Sequence, residues 1–153
     1  MTTEALAEKE RERVEQEEAK RRKRERIRDE LDTWIPRIEA PKEVSFSPRD
    51  VVILEDIHSH LFDPDLNVAA VRRRCDLRDN NASTRFRETV GLGIRDYIEK
   101  ARIEAARYLL GSTQAEVYLV AEGVGYDHPE TFCRAFQRQL GMTPSEYRSS
   151  LSP

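Results

Sequence analysis

The chain has 153 residues, of which 36% are charged and 38% hydrophobic, and its formal net charge is −3. This length fits one domain of ordinary size with an extension. No apolar run approaches the roughly 20 residues of a membrane-spanning helix, and we find no secretory signal at the N-terminus. Cys75 and Cys133 follow no metal or disulfide spacing, so we expect reduced thiols. A membrane protein and a disulfide scaffold are excluded, and a cytoplasmic, nucleoid-associated protein is expected.

The charge is spread unevenly along the chain. Residues 1–44 hold 12 Lys/Arg and 13 Asp/Glu with few apolar residues, whereas residues 45–153 hold 14 and 16. The first part is too polar to form a core of its own. The acidic balance of the second part argues against nucleic-acid binding unless its basic residues cluster on one surface.

Residues 3–34 are rich in Glu, Lys, Arg and Ala and nearly free of helix breakers, which predicts one long helix. Residues 4–18 carry seven acids and three bases, and residues 20–28 carry seven bases and one acid. We interpret most of this helix as a solvated charged surface. Antiparallel self-pairing and a basic arm that grips DNA or RNA without sequence preference remain alternatives.

A few apolar residues near the end of this helix follow helical spacing, which indicates docking on the domain or on a partner. They are Ile27, Leu31, Trp34 and Ile38. Apolar residues are sparse before residue 27, so the sequence does not support a coiled coil. The Ile35-Pro36 step is expected to end the helix, and residues 36–46 are expected to form a linker.

From Ser47 onwards the pattern is helical throughout. Ser47 and Pro48 predict a helix start, and the helix is expected to reach about Leu61 before a turn at residues 63–65. The side chains expected to be buried in it are Val52, Ile53, Ile57 and Leu61. Further helices are predicted at 67–74, 79–90, 94–110, 115–122, 128–140 and 144–150. With no convincing strand, the chain is predicted to be all-α.

The second half contains an internal repeat with a period of 50 residues. Phe86, Gly91 and Tyr97 recur as Phe136, Gly141 and Tyr147. A fixed period of this kind indicates two copies of one supersecondary unit. A short apolar helix and a turn precede each shared phenylalanine, so each unit is predicted to be a helix-turn-helix.

The second unit has the clearer pattern. Val117, Val120 and Ala121 predict its first helix, and residues 123–126 predict a glycine turn. Asp127 and Glu130 are expected to form a capping pair, with Pro129 in the first turn of the next helix. Phe132, Phe136 and Leu140 are expected in the core. The opposite face then presents His128, Glu130, Thr131, Arg134 and Arg138.

In a DNA-binding helix-turn-helix, the second helix enters the major groove and its early residues meet base edges. Arg134 fits the O6 and N7 acceptors of guanine, and Glu130 fits the amino group of cytosine. Thr131 fits a thymine methyl group or a phosphate. The repeated Phe, Gly and Tyr are packing residues, however, and on their own they indicate the fold rather than DNA binding.

The stretch from Val117 to Arg148 resembles the C-terminal signature of the AraC/XylS family of transcription regulators. Ala121, Val124, Gly125, Phe132 and Arg134 match its pattern, as do Phe136, Gly141, Pro144, Tyr147 and Arg148. Residues 101–110 resemble the family's linker helix, with Arg102, Ala105 and Leu109-Leu110 in place. The resemblance covers roughly residues 50–150. It implies two helix-turn-helix subdomains joined by a linker helix. Together with the composition of the N-terminal part, this predicts a charged helical extension (1–35), a linker (36–46) and a DNA-binding domain (47–153).

The first unit departs from that family pattern. Arg72 stands where the family has a small residue, Asp76 where it has the turn glycine, and Arg78 where it has a capping serine, although Asp79 is available as a cap. By the family pattern, Ala82 and Phe86 are core residues. Asn80, Ser83 and Thr84 then face the groove, where Asn80 fits adenine, and Arg85 and Arg87 are candidates for phosphate contacts.

No catalytic site, metal site or cofactor is predicted from the sequence. His58, His60 and His128 lack ligand spacing, and no nucleophile and base form a recognisable pair. The predicted function is a bacterial transcription regulator that binds double-stranded DNA, with the second unit dominant. RNA polymerase or another protein is a candidate partner of the N-terminal helix, and the oligomeric state stays open. The alternative is a protein-interaction or oligomerisation module with a degenerate DNA-binding domain.

Overall fold

The computed structural model of the chain describes residues 2–34 and 46–152, and these residues form eight helices and no strand. The all-α prediction is therefore confirmed for this part of the chain. The helices are α1 (Thr3–Trp34), α2 (Pro48–His60), α3 (Val68–Arg74), α4 (Asn81–Val90), α5 (Ile94–Ser112), α6 (Val117–Gly123), α7 (Pro129–Leu140) and α8 (Pro144–Ser150). The predicted linker, apart from Phe46, lies outside the described residues, as do the Ile35-Pro36 step and Ile38.

Two hydrophobic cores lie at opposite ends of α5. The first core is formed by α2, α3, α4 and the beginning of α5, and Phe86 lies fully buried within it. The second core is formed by the remainder of α5 with α6 and α7, and it encloses Phe132 and Phe136. Two helical units joined by a shared linker helix are thus confirmed. The residue bounds of the predicted domains stay a prediction.

The start of α2 is fixed by a reciprocal cap. The backbone N–H of Asp50 donates to the Ser47 hydroxyl over 3.2 Å, and the N–H of Ser47 donates to the Asp50 carboxylate over 3.2 Å. Pro48 occupies the first helical position, where the absence of an N–H group costs nothing. The predicted helix start is confirmed.

The predicted burial of one α2 residue, Val52, is wrong. Val52 is 51% exposed, whereas Leu54 is 5% exposed and packs in the first core. Ile53, Ile57 and Leu61 are spaced four residues apart and define the buried face, which is extended on one side by Leu54. Val52 lies on the other side of that face, where its side chain is exposed to solvent.

The last third of α1 packs on the second unit. Ile27 and Leu31 are 3% and 4% exposed and belong to the second core. A Cβ atom placed on Gly123 at the end of α6 would lie 2.5 Å from Cγ2 of Ile27, so only glycine allows this approach. The sequence left open whether these residues dock on the domain or on a partner. In the structure they dock on the domain.

Polar contacts of α1 follow α5 in the antiparallel direction. The Tyr108 hydroxyl donates to Glu30 over 2.6 Å, and Arg26 donates to the carbonyl of Ser112 over 3.3 Å. One helical turn earlier, Lys23 pairs with Glu116, and Arg24 pairs with Glu122 at 2.9 Å. These polar contacts with the domain begin at Lys23 within the described part of α1. Leu6 and Val14, nearer the N-terminus, are 55% and 46% exposed.

None of the helices in the described part of the chain has the length and apolar character needed to cross a membrane.

Replacement of Ile27 by alanine is expected to destabilise the protein by about 2–5 kcal/mol, because it removes buried methyl groups from the second core. The same substitution at the exposed Val14 is the control, and it is expected to change stability by less than about 0.5 kcal/mol. Urea unfolding followed by circular dichroism measures both. Equal stability of the Ile27 variant and the wild type would show that α1 does not contribute to the core in solution.

Candidate nucleic-acid interface

The two units contain the same turn in the same geometry. In the first unit, the N–H of Leu77 donates to the carbonyl of Arg72 over 2.8 Å. In the second unit, the N–H of Tyr126 donates to the carbonyl of Ala121 over 2.9 Å. Each bond spans five residues and closes the end of a seven-residue helix. The repeat detected in the sequence is therefore a repeat of backbone structure, and α4 and α7 are the recognition helices that follow the two turns.

This turn requires one residue with a positive φ angle. Gly125 has φ of 105° in the second unit, and Asp76 has φ of 55° in the first. An aspartate tolerates the left-handed region better than most residues, but a glycine adopts it without steric cost. The departure of Asp76 from the family pattern is thus accommodated by strain at one residue, with no change of the turn.

Arg72, the second departure, is accommodated by its side-chain direction. It is only half-buried, and its guanidinium donates to the Ser83 hydroxyl over 3.4 Å and to the Asp79 carbonyl over 3.3 Å. The long side chain therefore lies along the start of α4 and not in the crossing between the helices. One consequence is that Ser83, a predicted groove-facing residue, already has a hydrogen-bonding partner within the protein.

The recognition helices begin differently from each other. The N-cap of α4 is Asn80 and not the expected Asp79, although the Asp79 carboxylate accepts from the N–H of Asn81 over 3.1 Å, and α4 begins two residues later than predicted. The second recognition helix begins after His128, which makes no capping hydrogen bond through its side chain. The predicted Asp127–Glu130 capping pair is therefore wrong. Pro129, in the first turn, fixes the backbone where that pair was expected.

The second recognition helix, α7, separates its packing face from its outer face. Phe132 and Phe136 are fully buried and Leu140 is half-buried, as the sequence predicted. The outer face presents every predicted contact residue of this helix to solvent: His128, Glu130, Thr131, Arg134 and Arg138. Arg138 forms an ion pair with Glu99 of α5, and Gln139 donates to the same carboxylate over 2.9 Å. Arg134 has no ion pair with any described residue.

The first recognition helix, α4, packs through Ala82 and Phe86, which are 2% and 0% exposed. Its predicted phosphate contacts, Arg85 and Arg87, are exposed, as are Asn80 and Thr84. The Asn80 side chain makes no capping hydrogen bond, which leaves its amide available at the helix start. The structure therefore brings the predicted residues of this helix to one surface, although it does not test what they bind.

The basic residues around the first unit are less available than the sequence indicated. Arg74 pairs with Asp56 of α2 through two bonds of 2.8 and 3.1 Å, and Arg78 pairs with Asp76 at 3.0 Å. The charges of these two arginines are therefore already balanced by carboxylates within the first unit. Arg85 and Arg87 form no ion pair within the described residues and remain the cationic residues of α4.

Another cation lies between the two recognition helices, and sequence patterns did not single it out. Arg95, in the first turn of α5, is exposed and lines the surface beside α4 as well as the surface beside α7. No motif marks this position. Its only signal in the sequence is a basic residue at the start of the helix that joins the units.

No cluster of residues suited to a metal ion occurs in the described ranges. His58 lies in the first unit with its Nε2 atom 2.6 Å from the Tyr97 hydroxyl. Burial lowers the pKa of His58 and raises the pKa of Tyr97 to about 12, so both groups are neutral near pH 7. Cys75 and Cys133 are half-buried free thiols, and burial raises the pKa of each, which disfavours the reactive thiolate.

Comparison with known proteins finds relatives whose similarity to this chain includes both recognition helices. A model of the helix-turn-helix domain family matches residues 73–150. The arabinose operon regulatory protein of Escherichia coli K12 is 32% identical over 116 residues, which are 74% of this chain and 40% of that protein. The chain thus spans about two fifths of this relative. The regulatory protein SoxS of the same organism is 32% identical over 95 residues, which are 62% of the chain and 88% of SoxS.

Among solved structures, the DNA-binding domain of AdpA, a global transcriptional factor, was determined in complex with a target DNA. It superposes with a TM-score of 0.63 and 25% sequence identity, covering 68% of this chain and 93% of that domain.

Substitutions at the two equivalent turn positions, Asp76 and Gly125, are expected to change stability in opposite directions. Asp76→Gly is expected to stabilise the protein by up to about 1 kcal/mol, because it relieves a left-handed aspartate whose exposed ion pair contributes little. Gly125→Ala is expected to cost more than about 1 kcal/mol, because the new Cβ is strained and lies 2.9 Å from Nε of the buried Arg102. Urea unfolding of both variants measures the changes. A destabilised Asp76→Gly variant would show that the Asp76 side chain contributes more than its backbone strain costs.

Proposed function

Because the chain belongs to the AraC/XylS family of helix-turn-helix transcription regulators, we propose that it is a sequence-specific DNA-binding regulator. The observation that carries this proposal is the duplicated turn, which presents two recognition helices from one linker helix. The superposition on a domain determined with its target DNA supports the same function. Its proposed site of action is the DNA of a bacterial cytoplasm.

The spacing of the two units suits one face of a DNA duplex. The linker helix α5 has 19 residues and therefore extends over about 28 Å. Successive major-groove segments on one face of B-DNA are about 34 Å apart. Two recognition helices held on one linker helix of this length are suited to neighbouring major-groove segments without a second copy of the chain.

Most of the sequence preference is assigned to α7. Arg134 is exposed and has no ion pair in the described structure, so its planar guanidinium is available for the two acceptors of a guanine. Glu130 and Thr131, one helical turn earlier, are placed to meet a neighbouring cytosine or thymine. Arg138 must break its ion pair with Glu99 before it can bind a DNA phosphate, so we assign it a smaller contribution to DNA affinity than Arg134.

The first unit is assigned mainly to backbone contact. Asn80, immediately before α4, has the bidentate chemistry that adenine needs. Ser83 is held by Arg72, and the Thr84 hydroxyl donates to the carbonyl of Asn80 over 3.0 Å. Arg85 and Arg87 are suited to phosphates, which fix the position of the protein without specifying a sequence.

Selection of bound duplexes from a random DNA pool tests this function. The wild type is expected to enrich one motif, and Arg134→Ala is expected to relax it at one or two positions at a cost of about 1–3 kcal/mol. Lys100→Ala, an exposed charge on α5, is the matched control and should retain the full motif. A wild type that enriches no sequence would favour the alternative of a protein-interaction module.

The N-terminal part of α1 is assigned to a protein partner, with RNA polymerase as a candidate. Residues before Lys23 precede the polar contacts between α1 and the domain, and Leu6 and Val14 are exposed among charged side chains. Because Ile27 and Leu31 lie further along the helix, this segment can be removed while the second core is kept.

Deletion of residues 2–19 is therefore expected to leave DNA affinity within about twofold of the wild type while it changes transcriptional output from a reporter promoter. DNA affinity is measured by fluorescence anisotropy and output by reporter activity in the same strain background. Unchanged output would contradict a partner role for this segment. A large loss of affinity would instead favour a DNA-gripping role for α1.

A further inference from the structure

We propose that Arg95 binds a phosphate of the DNA backbone midway between the two recognition helices and so fixes the phase of one unit relative to the other. This inference rests on the proposed DNA-binding function and assigns a contact outside both helix-turn-helix units. Arg95 belongs to the linker helix, and its position is defined by the two surface grooves that meet there.

The first groove runs beside α4, where Asn80, Thr84 and Arg87 line it. The second groove runs beside α7, where Thr131 and Arg134 line it. Arg95 and Val68 line both grooves, so the surface is continuous from one recognition helix to the other. A duplex that follows this surface from one recognition helix to the other lies against Arg95.

Charge along this surface favours a polyanion. The two grooves are lined by five arginines (Arg87, Arg95, Arg102, Arg134 and Arg138) and two acids (Asp96 and Glu99). Glu99 is neutralised by Arg138 and also accepts from Gln139. Asp96, in the first turn of α5, lies where a carboxylate complements the positive end of the helix dipole. The uncompensated charge of the surface is therefore positive.

Among these arginines, Arg95 is the one placed centrally and left available. Arg102 is 8% exposed, and it donates to the carbonyls of Leu61 and Asp63 over 2.9 and 2.8 Å. Arg95 is exposed and makes no hydrogen bond or ion pair with the described residues. Its charge can thus be satisfied by a ligand without loss of an internal contact.

The chemistry of the duplex identifies the ligand. Between two major-groove segments on one face of B-DNA lies a minor groove, and phosphates border it on both sides. A cation opposite this segment meets the backbone and not the base edges. Such a contact positions the protein without adding sequence information, and it releases about one counterion.

The test compares Arg95→Ala with Lys100→Ala and Arg95→Lys on the duplex enriched by the wild type. Arg95→Ala is expected to bind about 3–10-fold more weakly at 0.15 M salt, with the slope of log K against log [salt] reduced by about 0.9. The base preference should be unchanged. Lys100→Ala should match the wild type, and Arg95→Lys should recover the slope because it restores the charge.

Duplexes with one uncharged methylphosphonate locate the phosphate. In the wild type, neutralisation of one phosphate between the two recognised segments should weaken binding, and Arg95→Ala should be insensitive to the same change. A variant with wild-type affinity and salt slope overturns the inference, as does a variant whose base preference changes. If the wild type itself enriches no sequence, the proposed function and this inference fall together. If only Arg95→Ala is without effect, the function stands and this contact does not.

Discussion

A buried arginine in the middle of the linker helix connects the two units. Arg102 donates to the carbonyls of Leu61 and Asp63, which directly follow α2 and belong to the first unit. The same guanidinium lies over the ring of Tyr126, 5.6 Å from its centroid, and beside Gly125 in the turn of the second unit. Burial lowers the pKa of Arg102, but its ordinary value is so high that the group stays charged. One side chain thus restrains the turn of the second unit relative to the segment that joins α2 and α3 in the first unit.

The same arginine explains why the two turns differ in the residues that they tolerate. The second turn must be glycine at position 125 because Arg102 occupies the space next to it. The first turn has no such neighbour, and an aspartate is tolerated there with φ of 55°. The first unit can therefore depart from the family pattern locally without moving its recognition helix. Its role in recognition then depends on which of its arginines are free.

Local patterns in the sequence predicted the helices, the repeat, the cap at Ser47 and the buried phenylalanines, because each depends on residues within one or two turns of each other. Contacts between distant residues were beyond such patterns. The pair of Arg74 with Asp56 joins residues 18 apart, and the pair of Arg138 with Glu99 joins residues 39 apart. Apolar spacing predicted that Ile27 and Leu31 dock, but it did not identify the surface. The exposure of Val52 was missed for a similar reason, since Val52 and Leu54 both flank Ile53 and contacts between distant residues decide which of the two is covered.

Two glycines in the second unit serve different purposes although they are two residues apart. Gly125 supplies a backbone angle, whereas Gly123, which does not adopt the left-handed region, supplies space for Ile27. A single methyl group at residue 123 would therefore act as a wedge between α1 and α6 while the turn kept its shape. One added carbon atom at residue 123 would thus disturb the attachment of the charged helix and leave in place the turn that positions the second recognition helix.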